Sequence, residues 1–241
     1  MTKVVVISGS LRTDQSETTR ILNPFLEGMR AAGASVDLVY AKRLKVTPCM
    51  GDFHCWYTNP GECRIKDGMQ ALYPKLKEAD ILVLATPVYI PLPGEMQNLI
   101  NRLCPLVEPV LSWRDGRTRA RLHGDYRIRS VVLVSCCGWW EKGNFGTVVR
   151  IAKELAKDIN VKFAGAVLRP HASLLARNKK KSKEIDAALR KAGFGLVKDG
   201  KLPKALLDKI AQPLISEEEF RLRSNKEYES VGSRVSENVT R

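Results

Sequence analysis

"DILVLATPVYIPLPGEMQNLINR", Asp80 to Arg102, opens on an unbroken apolar run, turns through three prolines and closes on a helical pattern. A strand without polar alternation has to be covered on both faces, so this one belongs inside a sheet with helices above and below it. "KVVVIS" (3–8), "SVDLVY" (35–40), "RSVVLVS" (129–135) and "VKFAGAVL" (161–168) also read as strands, and four of the five are nearly continuous apolar runs. Helix-length segments lie between them. "SETTRILNPFLEGMRAAG" (16–33) gathers Ile21, Leu22, Phe25, Leu26 and Met29 on one face and stops at Gly33, with a bend expected at Pro24. "GMQALYPKLKEA" (68–79) and "GTVVRIAKELAKD" (146–158) behave similarly. This alternation predicts an α/β fold with three layers: a five-stranded parallel sheet, order 2-1-3-4-5, between two layers of helices. Ligands of such sheets bind beyond the carboxyl ends of the strands, beside the switch point between strands 1 and 3. The loops after Ser8, Thr86 and Ser135 are therefore the ones to read for function.

The chain has 241 residues, 44% apolar and 27% charged, enough for one globular domain with an appendage or at most two small domains. No apolar run reaches the ~18 residues that a bilayer requires, and "MTKVVVISGS" turns polar too soon for a signal peptide. The expectation is a cytoplasmic protein without a membrane partner, its six cysteines mostly reduced. A formal charge of +14 favours anionic partners. It is densest in "WRDGRTRARLHGDYRIR" (113–129), where no nucleic-acid-binding motif accompanies it, so phosphorylated cofactors are preferred over nucleic acid.

The first loop, "SGSLRTDQSETTR" (8–20), has neither GxGxxG nor GxxxxGK[ST]. Instead Ser10, Thr13, Ser16, Thr18 and Thr19, with Arg12, crowd a helix start whose free N–H groups attract anions. A terminal phosphate monoester suits such a place; plain N-capping by Ser16 is the competing reading. In the second loop Pro87 fixes the backbone and sets Tyr89 and Ile90 where a flat heterocycle can stack. The third, "SCCGWWEKGNFG" (135–146), offers a glycine for close approach, and Trp139 and Trp140 either cover the same site or serve packing.

"GSLRTDQSETTR" (9–20) followed by "TPVYIPLPGEMQNLINR" (86–102) resembles the NADPH-dependent FMN reductase family of flavodoxin-like proteins, and the stretch "TPCMGDFHCWYTNPGECRIKDGM" (47–69) resembles its branch that includes the iron-sulfur flavoproteins. The resemblance covers Lys3 to about Leu168 and continues in "IAQPLISEEEFRLRSNKEYE" (210–229). It implies a bound FMN with phosphate contacts at Ser10, Arg12, Ser16 and Thr18, and ring contacts at Pro87, Val88, Tyr89 and Ile90, joined by Cys137 and Gly138. Glu17 stands where relatives usually carry Asn, which sets an acid beside the expected phosphate. The implied activity is an oxidoreductase passing electrons from NAD(P)H through the flavin to a small acceptor such as a quinone or free flavin. The alternative is an iron-sulfur flavoprotein-like electron carrier or redox sensor with little nicotinamide turnover. A flavin carries the redox chemistry itself, so no catalytic side chain is named.

In the iron-sulfur flavoproteins four closely spaced cysteines hold a cluster; here the positions are Cys49, Asp52, Cys55 and Cys63. One thiolate has become a carboxylate, and His54 is one residue off register. A cluster, a zinc site, and a metal-free loop with buried or redox-sensitive thiols all stand as readings, the last preferred. Cys104, Cys136 and Cys137 show no metal spacing and read as small buried residues; His123 and His171 read as surface or satisfied polar residues. Arg117, Arg119 and Arg121 read first as a solvated loop and second as forks for the 2′-phosphate of NADPH.

Residues 1–169 are expected to form the FMN-binding domain and 170–241 a helical extension serving as lid or oligomer arm of a homodimer or homotetramer. In that extension Ile185, Ala188, Leu189 and Ala192 share a helix face, Lys179 to Lys183 read as a solvated run, and two shorter helices follow near 203–211 and 216–226. The end from Val231 reads as frayed.

Overall fold

In the computed structural model, which describes residues 1–239 and side chains through residue 230, the elements run in this order. β1 (Lys3–Ser8) leads to α1 (Glu17–Ala31), β2 (Ser35–Tyr40), a short α2 (Ala41–Leu44), a short α3 (His54–Tyr57) and α4 (Met69–Glu78). Then come β3 (Ile81–Pro87), α5 (Gly94–Asn101), β4 (Val107–Arg114), β5 (Arg117–Leu122), β6 (Ser130–Cys136) and α6 (Gly146–Asp158). β7 (Lys162–Arg169), α7 (Lys179–Asp199), α8 (Lys204–Ala211) and α9 (Glu217–Val239) complete the chain. The main sheet is parallel throughout, in the order β2-β1-β3-β6-β7, which is the 2-1-3-4-5 arrangement once the β4–β5 hairpin is set apart.

The continuous apolar runs are divided by the pleat between two cores. Val5, Ile7, Leu82, Leu84, Val131 and Leu133 point to one face, where α4, α5 and α6 cover them with Leu72, Leu76, Met96, Leu99 and Ala152. Val4, Val6, Val83, Val132 and Val134 point to the other, against Ile21, Leu22, Phe25 and Met29 of α1. Each such fully buried aliphatic side chain contributes roughly 1.5–3 kcal/mol relative to an exposed one. α1 runs through Pro24 as one helix.

The second face is completed by α7, whose Ile185, Ala188, Leu189, Ala192 and Leu196 are buried with α1. The two helices meet through glycines: a Cβ on Gly28 would lie 2.0 Å from the Arg190 carbonyl oxygen, and one on Gly193 2.0 Å from that of Phe25. α7 is thus part of a core layer, and α8 adds Ile210 to the same core. The chain expected to fray from Val231 is instead helical: α9 continues past the expected end at 226 to Val239.

Arg117, Arg119 and Arg121 are not in the solvated loop expected: they lie on the second strand of the antiparallel β4–β5 hairpin, closed by Asp115-Gly116, both at positive φ. That pair is the usual residue choice for a two-residue hairpin turn. Arg119 is buried and donates to Asp158 and, at 3.1 Å, to Glu154 of α6. Arg117 lies 3.6 Å from Glu154 and Arg121 2.7 Å from Glu108, so these guanidinium groups fasten the hairpin.

Candidate functional site

The carboxyl ends of β1, β3 and β6 open on a cleft of about 410 Å³, within the range of small-molecule sites. The loop after β1 lines it with Ser10, Leu11, Arg12, Ser16, Glu17 and Thr18; the loop after β3 with Pro87, Val88, Tyr89 and Pro93; that after β6 with Cys136, Cys137 and Gly138. Of the ten residues expected to contact a flavin, nine meet here; Ile90, 95% exposed, points away from the lining. Leu11, Glu17, Pro93, Cys136, Ala172 and Ser173 complete it, the last two arriving from the turn after β7.

One end of the cleft is built by the start of α1. Ser16 Oγ accepts from the Thr19 amide at 3.1 Å and donates to the Thr13 carbonyl at 2.9 Å, so capping and cleft lining fall on one residue. Thr19 Oγ1 donates to the same carbonyl at 2.6 Å, which makes Thr19 a brace for the loop. Thr18 Oγ1 sits 3.2 Å from Cys136 Sγ, joining the first and third loops. The amides of the first helical turn carry no intrahelical acceptor and face an anion favourably. Against them stands Glu17, whose Oε2 is buried without a hydrogen-bond partner among the described residues. A ligand filling the cleft has therefore to satisfy both amide donors and an acceptor.

At the other end the Ile90–Pro91 peptide is cis, and the Tyr89 amide donates to the Pro91 carbonyl at 2.9 Å, while the Val88 amide donates to the Cys136 carbonyl at 2.8 Å. This ties the second loop to the third and leaves Tyr89 63% exposed on the rim. Burial pushes the Cys136 thiol up to about 12 and raises that of Cys137, so both stay protonated at neutral pH. They are walls of the cleft and not nucleophiles.

Behind the cleft, the side chain of Arg169 is fully buried. It donates to the carbonyls of Pro170 (2.8 Å), Ile210 (2.6 Å) and Gln212 (2.9 Å), and to His171 Nε2 (2.8 Å). The Leu214 amide donates to that same nitrogen at 3.1 Å, so the ring carries its proton on Nδ1. Trp140 stacks on His171 and donates to the Ile215 carbonyl at 3.0 Å, which answers the sequence alternatives for this tryptophan in favour of packing. Trp139 is 64% exposed and outside the lining. The segment between α8 and α9 is thus bound to the end of β7, one turn from Ala172 and Ser173.

The cysteine stretch lies elsewhere. Arg102, its side chain buried, pairs with Asp67 at 2.7 Å and donates to the carbonyls of Thr47 (2.7 Å) and Ile65 (3.3 Å), fixing the stretch to the end of α5. Cys49, Cys55 and Cys63 line a small cavity with Cys104, whose free interior is about 40 Å³. Asp52 turns to Arg64 (3.3 Å) and to the His54 amide (3.2 Å). Among the described residues no three His, Cys, Asp or Glu side chains gather as metal ligands. A cavity of this size holds one or two waters, far below the bulk of a four-iron cluster, and the carboxylate in place of the fourth thiolate is engaged by a guanidinium. The residues do not fit a cluster. Cys104, read as an isolated buried residue, belongs instead to this group.

A parallel 2-1-3-4-5 sheet with a ligand cleft at the β1/β3 switch point defines a flavodoxin-like α/β protein. Residues 2–123 match the NADPH-dependent FMN reductase family, and the chain belongs to that family. It is 30% identical over 105 residues to an iron-sulfur flavoprotein of Methanocaldococcus jannaschii, covering 43% of this chain and 53% of that one. It is 39% identical over 87 residues to one of Archaeoglobus fulgidus, covering 36% and 42%. The chain thus spans about half the length of the curated relatives it matches. Among solved structures it resembles an NAD(P)H:quinone oxidoreductase from Methanothermobacter marburgensis, with a TM-score of 0.55 and 16% identity over 81% of this chain and 96% of that one. An azoreductase from Bacillus anthracis gives 0.56 and 16% over 82% and 99%. At these identities the structural likeness concerns the fold.

Proposed function

We propose that the cleft binds FMN and that the protein is an oxidoreductase drawing electrons from NAD(P)H and delivering them to a small acceptor such as a quinone or free flavin. The observation that carries this reading is the convergence of three sequence-distant loops on one cleft with an anion-attracting end and a flat apolar end. When bound, the flavin would supply hydride acceptance and one- or two-electron delivery. Ser10, Arg12, Ser16, Thr18 and the first-turn amides of α1 would hold the phosphate; Pro87, Val88 and Tyr89 would support the ring, with Cys137 and Gly138 on its other edge. The protonated thiols of Cys136 and Cys137 keep that wall uncharged. Tyr89, exposed on the rim, leaves space for nicotinamide and acceptor to visit in turn, so ping-pong kinetics are expected.

The segment tied to Arg169 and His171 would act as a fixed wall of the site, in place of the lid expected of the C-terminal extension. Val110, Leu111 and Trp113, exposed on β4, would serve contacts in a homo-oligomer. The curated relatives favour one second reading, an electron carrier with slow nicotinamide turnover. Stopped-flow bleaching of the bound flavin separates the two. Saturable reduction by NADH or NADPH supports the enzyme, a slow unsaturable response to both supports the carrier, and a colourless protein that takes up no FMN on reconstitution removes both.

A further inference from the structure

The cysteine cavity lies on the α5 side of the sheet and none of its cysteines lines the flavin cleft, so its chemistry is independent of the flavin reading. Cys55 is the second residue of α3 and Cys104 opens the turn after α5. The Trp56 indole N–H donates to the Cys104 carbonyl at 3.1 Å, holding the two segments together. Across this junction the Cys55 and Cys104 thiols line the same small cavity, and each is the first influence on the other's ionisation. That interaction makes the two sulfurs unequal. It draws the Cys104 thiol toward ionisation, against burial and the neighbouring Cys49 and Cys63, and holds the proton on Cys55, whose own burial acts the same way. Cys55 is buried and Cys104 half-buried, and the cavity they face admits a molecule little larger than water.

The geometry points to a second redox site in this chain: Cys55 and Cys104 form a dithiol that a small peroxide oxidises to a disulfide. Cys104 Sγ, as thiolate, attacks one peroxide oxygen; the O–O bond breaks, and the departing hydroxide takes the proton that ionisation of Cys104 released and leaves as water. The sulfenic acid on Cys104 is then attacked by Cys55 Sγ. The S–O bond breaks, an S–S bond forms, and the second hydroxide leaves as water with the Cys55 proton. Two thiols lose two electrons and one peroxide gains them. The bond ties α3 to the end of α5, where Arg102 already anchors the cysteine stretch. A thiol from the turn after α5 thus gives the stretch a chemistry that does not depend on the position held by Asp52.

The test uses the full chain, reduced, desalted, exposed to hydrogen peroxide, then unfolded in an alkylating agent. Intact mass should show the number of alkylated cysteines, six in the reduced chain, falling by two. Peptide mapping should find Cys55 joined to Cys104, reversed by dithiothreitol. Cys55→Ser should stop the reaction at a sulfenic acid on Cys104 that dimedone traps, and Cys104→Ser should slow oxidation of Cys55 at least ten-fold. The wild-type mapping decides the matter even if a variant fails to fold. Six alkylated cysteines after peroxide, a cross-link between any other pair, or zinc or iron bound stoichiometrically by these thiols in protein purified anaerobically would each overturn the proposal.

Discussion

At the scale of single residues the cleft contains one side chain that works against its proposed ligand. Glu17 brings a negative charge to the anion-attracting turn, with Oε2 buried and without a hydrogen-bond partner among the described residues. Two charges ~4 Å apart interact by ~4 kcal/mol at the effective dielectric of a partly solvated site, and only part of that is realised against a phosphate that the first-turn amides stabilise. Glu17→Gln should therefore tighten FMN binding about ten-fold, or ~1.4 kcal/mol, and leave riboflavin, which has no phosphate, within about two-fold. Titration by flavin fluorescence reads both constants; equal tightening for the two flavins would place the effect on folding and not on charge. Asp67 is the opposite case. Burial alone would raise its pKa, but the Arg102 guanidinium and the Thr47 and Met69 amides hold it below the usual carboxylate value. Asp67→Asn leaves the buried Arg102 without its counter-charge, and losses of this kind cost about 3–5 kcal/mol. Denaturant unfolding should show that loss, and a change below ~1 kcal/mol would mean that the three carbonyl and carboxylate contacts of Arg102 are redundant.

At the scale of elements, the α1–α7 crossing makes a sharper prediction. Gly193→Ala would raise the helix propensity of α7 by ~1 kcal/mol in isolation. The added Cβ would lie 2.0 Å from the Phe25 carbonyl, a contact only backbone movement can relieve. Overpacking of this order costs ~1–3 kcal/mol and occasionally more, so the clash should win and the variant should melt lower; a higher melting point would mean that the helices separate freely. The sequence disclosed Ile185, Ala188 and Leu189 as a face through their spacing, yet held no sign of what that face meets, because a glycine contact has no periodicity of its own. The five sheet strands were legible to within one residue at each end; in β1, β3 and β6 continuous burial leaves an unbroken apolar record, while β2 and β7 are only partly buried. The β4–β5 hairpin was hidden because Arg117, Arg119 and Arg121 share one side of β5 and resemble a solvated run. The signal available was the Asp115-Gly116 turn between them. In the cleft, the residues carried by the family resemblance came together, whereas Ala172 and Ser173 are small, come from beyond β7, and bear no chemical mark in the sequence.

At the scale of the whole molecule, two of the bonds that fasten the segment after α8 to the end of β7 last only while His171 is neutral. Its Nε2 accepts from both Leu214 and Arg169, and a proton there would abolish both bonds and set an imidazolium against a guanidinium. Burial first, then the Arg169 charge, lowers its pKa to about 4, with the Trp140 carbonyl opposing. The unfolded chain takes up this proton near pH ~6.5, so between that value and about pH 4 the unfolded state binds more protons than the folded one, and stability falls as the pH is lowered. The full effect is on the order of 3 kcal/mol, and it acts on the segment bound next to the turn that carries Ala172 and Ser173. His171→Asn provides the control: Asn keeps an acceptor, does not titrate, and tolerates the positive φ of 37° at this position. Thermal melts from pH 7.5 to 4.5 should show the wild type losing stability more steeply than His171→Asn below pH ~6.5, with flavin release advancing in step. If both proteins lose stability along the same curve, the acid response belongs to the carboxylates, and the C-terminal segment is held by the Ile210 core contact and the Trp140 bond instead.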